Sequence, residues 1–267
     1  AAAKAKLADR SPAGIKKGHD LYRMGLKELK TIDPKKLSGM DLVNYETFRG
    51  PWEDYVKAYD IFSYGLHSWP EPHPVTQLSG TYRSIPDFLV NQHSIANAAD
   101  AEAYLSRLNA FPGALDGETE RLKAAGGQGL VAPAFLIDKA VTQMEASLAD
   151  AKAGGSMVES LVRRTGAGRI AGDWNARSAK IVQGPVAAAL ERQLAAMKAQ
   201  RAKATMDAGM WARPDGDEWY AWGLRASTTT RMTPDEIHAM GREELAELHG
   251  RMDPILKKLG YTQGSVG

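Results

Sequence analysis

The sequence predicts an all-α protein with little or no sheet, and three observations carry that expectation. Thr233-Pro234-Asp235-Glu236 forms a near-complete helix start and leads into an apolar stripe at helical spacing. Ala- and Leu-rich stretches of helix length recur along the chain, and both residues are strong helix formers. Sustained alternation of apolar and polar residues, the mark of strands, is hard to find anywhere.

Taken in order, segments near 12–32 and 39–63 read as helices, the second with Asp41, Glu46, Glu53, Asp54 and Lys57 on its wet side. Gly65 to Ile85, with Pro70, Pro72, Pro74 and Gly80, reads as an irregular loop. Its length of about twenty residues suits a segment that covers or shapes a surface. Asn97 can cap a helix that reaches about Ala125, lined by Tyr104, Leu105, Leu108, Phe111, Leu115 and Leu122. Pro112 should bend or split that helix, and Gly126, Gly127 and Gly129 should end it. Another helix starts at Pro133, carries Phe135, Leu136, Ile137, Val141, Met144 and Leu148, and stops at Gly154-Gly155. Pro185 to Thr205 forms an Ala- and Lys-rich helix, and Met210 to Asp217 a turn-rich link.

The last helix is the most strongly marked. Thr233 caps it, Pro234 takes its first position and Glu236 completes a capping box. Ile237, Met240, Leu248, Met252, Ile255 and Leu259 lie along one face. Pro254 should kink it and Gly260 should cap it. The tail 260–267 reads as a linker. No repeat of solenoid length is visible, and 1–267 reads as one helical region.

Composition narrows the function. Hydrophobic residues are 43% and charged residues 25% of the 267, ordinary for a globular protein. Lys plus Arg number 34 and Asp plus Glu 32, so nothing demands a nucleic acid or an anionic membrane. The chain has no Cys, which excludes disulfides, thiolate zinc sites, iron–sulfur clusters and cysteine nucleophiles. No apolar run approaches the roughly 20 residues of a membrane span.

Candidate metal chemistry fails on spacing. His238 and His249 flank Glu243, Glu244 and Glu247 on the last helix. A helical zinc pair needs histidines one turn apart, whereas these return to nearly one face about 16 Å apart. The Pro-rich loop can bring His67, His73 and Glu71 together, which leaves a weak metal or substrate contact open, but no third ligand stands at recognisable spacing. His19 and His93 read as lone structural or solvent-facing groups. Gly166-Ala-Gly168-Arg-Ile-Ala-Gly172 follows Arg163-Arg164 rather than a strand, so it reads as an interhelical turn and not a phosphate loop. No Gly-x-Ser-x-Gly elbow exists.

One segment is unusual. Glu218-Trp219-Tyr220-Ala-Trp222-Gly-Leu-Arg225-Ala-Ser-Thr228-Thr229-Thr230 crowds aromatic, guanidinium and hydroxyl groups. On a helix Trp222 and Arg225 share a face. Tyr220, Trp222, Arg225, Thr228 and Thr229 are therefore candidates for a cleft that holds a polar substrate. The competing reading is an aromatic core anchor followed by a cap cluster for the next helix.

Gly209-Met-Trp, Pro214-Asp-Gly-Asp-Glu-Trp-Tyr220, Leu224-Arg-Ala-Ser-Thr-Thr-Thr230 and Thr233-Pro-Asp-Glu-Ile-His238 occur in an order that resembles the bacterial family called domain of unknown function 885. Asp100 to Pro112 and Gly129 to Lys139 with Gln143 follow that family's order too, and the resemblance covers roughly residues 40–260. The family is similar to zinc metallopeptidases of the gluzincin kind, largely helical and often exported. Its hallmark is a His-Glu-x-x-x-x-His-His segment, and no His is followed by Glu in this chain.

The resemblance thus implies the N-terminal half of a larger metallopeptidase-like fold, with zinc in a C-terminal half and no metal or catalytic residue carried by this chain. It implies a periplasmic or otherwise exported protein acting on a peptide-like substrate; a cytoplasmic location stays open. The partner expected is the C-terminal half of the same gene product, docked through a large apolar face. The alternative is a non-catalytic helical binding or scaffold module, and a third reading is a complete fold that has lost activity and only binds peptides.

Overall fold

Several helices begin where a short polar side chain takes up an orphan amide. In the computed structural model, which describes residues 2–65 and 70–266, Ser11 accepts from the Gly14 amide at 3.1 Å and opens α1 (Pro12–Leu29). Gly39–Ile61 forms α2, and Thr81–Asp87 forms α3. Asn97 accepts from Asp100 at 3.0 Å to open α4 (Ala98–Gly127), followed by α5 (Ala134–Ala153) and α6 (Gly155–Ala167). Asp173 caps α7 (Trp174–Ile181), which leads to α8 (Ala187–Arg201) and α9 (Gly216–Thr228). At α10 (Pro234–Lys258) the capping box is complete: Thr233 Oγ1 accepts from the Glu236 amide, and the Glu236 carboxylate accepts from the Thr233 amide at 2.7 Å. No strand occurs among the described residues, so the protein is all-α.

The helix ends follow the same local logic. At Gly260, φ +93° lets the Tyr261 amide reach the Leu256 carbonyl and the Gly260 amide reach that of Lys257. Gly129 repeats the arrangement after α4. After α6 the left-handed position falls to Arg169, φ 51°, so the expected interhelical turn occupies 168–172, while Gly166 and Ala167 still belong to α6.

Several expected boundaries need correction. The loop anticipated over 65–85 ends at Gly80, because α3 starts at Thr81. Its start is held by Glu118 of α4, a partner far along the chain. Pro112 does not split its helix: α4 runs unbroken through it, as α10 runs through Pro254. A proline removes one ladder bond, and in α4 the fully buried Leu108, Phe111 and Leu115 around it hold the helix in place. The helix expected from Pro185 starts earlier, since a π-turn over Val182–Val186 absorbs Pro185 and joins α7 to α8. The segments α6 and α7 were not anticipated.

The main core forms where α4 packs against α8 and α8 against α5. Tyr104, Leu108, Phe111 and Leu115 of α4 lie at its centre, and the Tyr104 hydroxyl donates to the Met157 carbonyl at 2.8 Å. His93 donates from Nε2 to the Asp100 carbonyl at 3.0 Å and accepts from Arg107 at 2.7 Å. His19 stacks on Tyr59 at 3.6 Å between α1 and α2. Both histidines are buried rather than solvent-facing.

Glu118 is the most deeply placed acid. Its Oε2 accepts from the Thr81 amide at 2.9 Å, the Thr81 hydroxyl at 2.7 Å and Gln193 Nε2 at 3.0 Å, tying α3 and α8 to α4. Burial pushes its carboxyl above the usual range against those bonds. Glu118→Gln should cost about 1–2 kcal/mol in urea unfolding, since an amide oxygen keeps the same contacts but accepts more weakly than a carboxylate. An unchanged midpoint would show that the three bonds add nothing.

Candidate functional site

The unusual aromatic segment becomes α9, and its two faces separate the candidates. Asp215 adopts a left-handed conformation, φ 51°, to turn the chain into the helix. Gly216 follows because a Cβ there would run into the Met210 carbonyl. Trp219 and Trp222 then face inward against Phe62 and Tyr64, with Ala58, Ala125 and Leu130 completing a second, smaller core. Trp219 stacks on Tyr64 at 5.0 Å and meets Phe62 edge-on at 4.9 Å. Gly65, φ +81°, admits the Trp219 ring where a side chain would collide with it.

Trp222 is thus an anchor, 4% exposed, and not a cleft residue. Its Nε1 donates to the Asp54 carbonyl at 3.1 Å. One turn on, Arg225 grips the same residue, with Nε and Nη2 each 2.9 Å from Asp54 Oδ1. The shared face of Trp222 and Arg225 is therefore real, and its use is to clamp α9 onto α2. Thr228 donates its hydroxyl back to the Leu224 carbonyl at 2.8 Å, and Thr229, φ 56°, ends the helix. Tyr220 points outward, 49% exposed. The structure does not bring the five candidates together into one cleft.

Arg225 alone of the five faces an open groove of about 570 Å³ between α2, α9 and the start of α10. Glu53, Asp54 and Lys57 line one side, and Thr230 to Pro234 the other. The acids are already engaged: Glu53 pairs with Lys30 and Arg49, each at 3.0 Å, and Asp54 with Arg225. Lys57 and Arg231 make no ion pair among the described residues, so the groove presents two available cations. Sequence reasoning placed Asp54 and Lys57 only on a wet face and did not single out Arg231. Their meeting depends on how α9 and α2 pack.

A second cavity of about 350 Å³ lies between α1, α2 and α4, lined by Tyr59, Phe62, Tyr64 and Arg121 among others. Arg121 is the missed residue whose signal was present: Glu118 and Arg121 interrupt the stripe running from Leu115 to Leu122.

No group of three or more His, Asp or Glu residues with metal-binding geometry occurs among the described residues. His238 and His249 sit eleven residues apart along α10. His67 lies outside the described residues. His73 is mostly buried, and desolvation, aided by the Arg213 guanidinium, lowers its pKa to about 4. No described helix is long and apolar enough to cross a membrane.

Comparison with known proteins supplies a family and a fold. A search of curated proteins finds no match. A crystal structure described as "the putative lipoprotein from Colwellia psychrerythraea" superposes with a TM-score of 0.86 at 19% identity. The match covers 98% of this chain and 46% of that one, so the chain spans about half the length of the solved relative. At such identity the likeness establishes the fold alone. The family model described as "Bacterial protein of unknown function (DUF885)" matches residues 1–267, and the chain belongs to that family.

Proposed function

We propose that this chain is the helical N-terminal half of a zinc-dependent peptidase-like hydrolase and supplies one wall of its substrate cleft. The observation that carries the reading is α10. Its Met240, Leu245, Leu248, Met252 and Ile255, with Leu259 just past its end, are 45% to 68% exposed, and no residue of the helix is buried. A helix of 25 residues with an apolar stripe and no burial lacks the packing that normally stabilises one. Such a stripe calls for a cover, and the natural cover is the C-terminal half of the same protein. The greater length of the solved relative supports this.

The groove beside the start of α10 is open, with Lys57 and Arg231 in no ion pair among the described residues, and suits a peptide-like substrate bearing carboxylates. In this reading the zinc is held by the other half of the protein; among the described residues of this chain no group of three or more His, Asp or Glu is placed to hold a metal ion. Export from the cytoplasm is part of the same reading, supported by the description of the solved relative as a lipoprotein. A non-catalytic scaffold is the second reading, favoured by the consumption of Trp222, Asp54 and Arg225 in a structural clamp.

The full-length protein decides between them. It should hold about one zinc per chain and cleave peptides, and Lys57→Glu with Arg231→Glu should raise KM several-fold with little change in kcat. Full-length protein that neither holds zinc nor cleaves peptides would sink the hydrolase reading. A double variant with unchanged KM would remove the groove from the cleft.

A further inference from the structure

We propose that the cavity between the α1–α2 hairpin and α4 binds a small organic carboxylate with an aromatic or branched apolar body, its carboxylate held by Arg121. The inference does not depend on the hydrolase reading. At about 350 Å³ the cavity falls in the range of small-ligand sites. Pro12, Ile15, Phe62 and Pro74 give it apolar walls, and Tyr59 and Tyr64 add aromatic ones.

Arg121 is the anomaly. The guanidinium carries five N–H donors, yet among the described residues its one hydrogen bond runs from Nη2 to the Gly65 carbonyl at 3.5 Å, the weak limit of such a bond. No carboxylate lies within ion-pair distance of it among the described residues. Other arginines are better satisfied: half-buried Arg107, Arg164 and Arg213 donate to backbone carbonyls at 3.0, 2.8 and 2.6 Å, and Arg177, Arg192 and Arg201 each fork onto a carboxylate, of Glu102, Asp116 and Asp138, at 2.6–3.1 Å. Those three pairs are at the surface, where pairing matters least, while Arg121 is half-buried without one.

Neighbouring charges do not fill the gap. Glu118, one turn back on α4, spends its bonding oxygen on Thr81 and Gln193. Glu71 acts on Arg121 only through space, and Arg10 adds positive potential. Burial correspondingly weakens the hold of Arg121 on its proton, as expected of a cation with incomplete compensation. A planar fork at an apolar, aromatic cavity matches a carboxylate bidentately and leaves the ligand's body to the walls. A bare phosphate would use the fork and waste the walls.

The test titrates full-length protein with 3-phenylpropionate and with N-acetyl-phenylalanine, each beside its uncharged amide. Both acids should bind saturably with Kd below about 1 mM, and the amides about tenfold or more weaker. Tighter binding of N-acetyl-phenylalanine marks a peptide carboxyl terminus as the source of the carboxylate; tighter binding of phenylpropionate marks a free acid. Arg121→Gln should lose about tenfold in affinity while Arg192→Gln, at the surface, keeps it. If Arg121→Gln fails to fold, the acid–amide pair on unaltered protein decides alone. Acids that do not bind by about 10 mM, amides that bind as well, or inorganic phosphate that binds as tightly as the acids would overturn the proposal.

Discussion

Trp219→Ala should destabilise the chain by about 3–5 kcal/mol, while Tyr220→Ala, one residue on, should cost under about 1 kcal/mol. The contrast follows from the two faces of α9. Trp219 is 2% exposed and sits at the centre of the small core, in ring contact with Phe62, Tyr64 and Trp222. Truncation removes one of the two tryptophans of that cluster and leaves a cavity walled by rings too large to collapse into it. Tyr220 is half exposed, so its loss opens no cavity. Denaturant unfolding read by far-ultraviolet dichroism gives both values. Equal costs for the two variants would mean that α9 does not dock through its tryptophan face, and the groove beside Arg225 would lose its basis.

The helices and their ends were legible where the signals are local. Thr233 and Asn97 cap as their side chains dictate, and Gly260 and Gly129 turn left-handed where the stripes end. What escaped depended on partners far along the chain. The start of α3 is held by Glu118, thirty-seven residues on, and no local pattern could show that. The start of α6 was hidden because Gly154-Gly155 reads as a stop, while the Asp150 carboxylate caps the new helix by accepting from Ser156. For the site, helical spacing correctly put Trp222 and Arg225 on one face. It could not say that this face meets Asp54 of α2 and is thereby closed. Burial of an aromatic cluster and exposure in a cleft look alike in composition; only packing separates them. Arg121 was legible in principle, as a charge breaking an apolar stripe, but such breaks usually mark a helix's wet edge.

Acid should unfold the protein well above the pH at which its carboxylates titrate. His73, His19 and His93 all have pKa values below the ordinary histidine value, chiefly because burial disfavours the imidazolium; Arg213 adds to the effect at His73, Arg23 at His19 and Arg107 at His93. Each is neutral in the folded state and takes up a proton more readily once unfolded. Their stabilisation is therefore complete above about pH 6.5 and is lost as pH falls toward the folded value, which for His73 is about 4. His73 alone accounts for up to about 3 kcal/mol across that window, at about 1.4 kcal/mol per unit. Glu118 works the other way, because its raised pKa favours the protonated folded state, but it is one group against three. Salt-bridged carboxylates such as Asp100 and Asp138, whose pKa values are lowered by Lys4 and Arg201, give up their contribution only below about pH 4. Urea midpoints should accordingly hold steady from about pH 8 to 7 and decline steeply from about 6.5 to 4.5. His73→Gln should flatten that decline, because an amide has no proton to gain. A parallel decline in His73→Gln and the parent chain would show that His73 is not the group that acid reaches first.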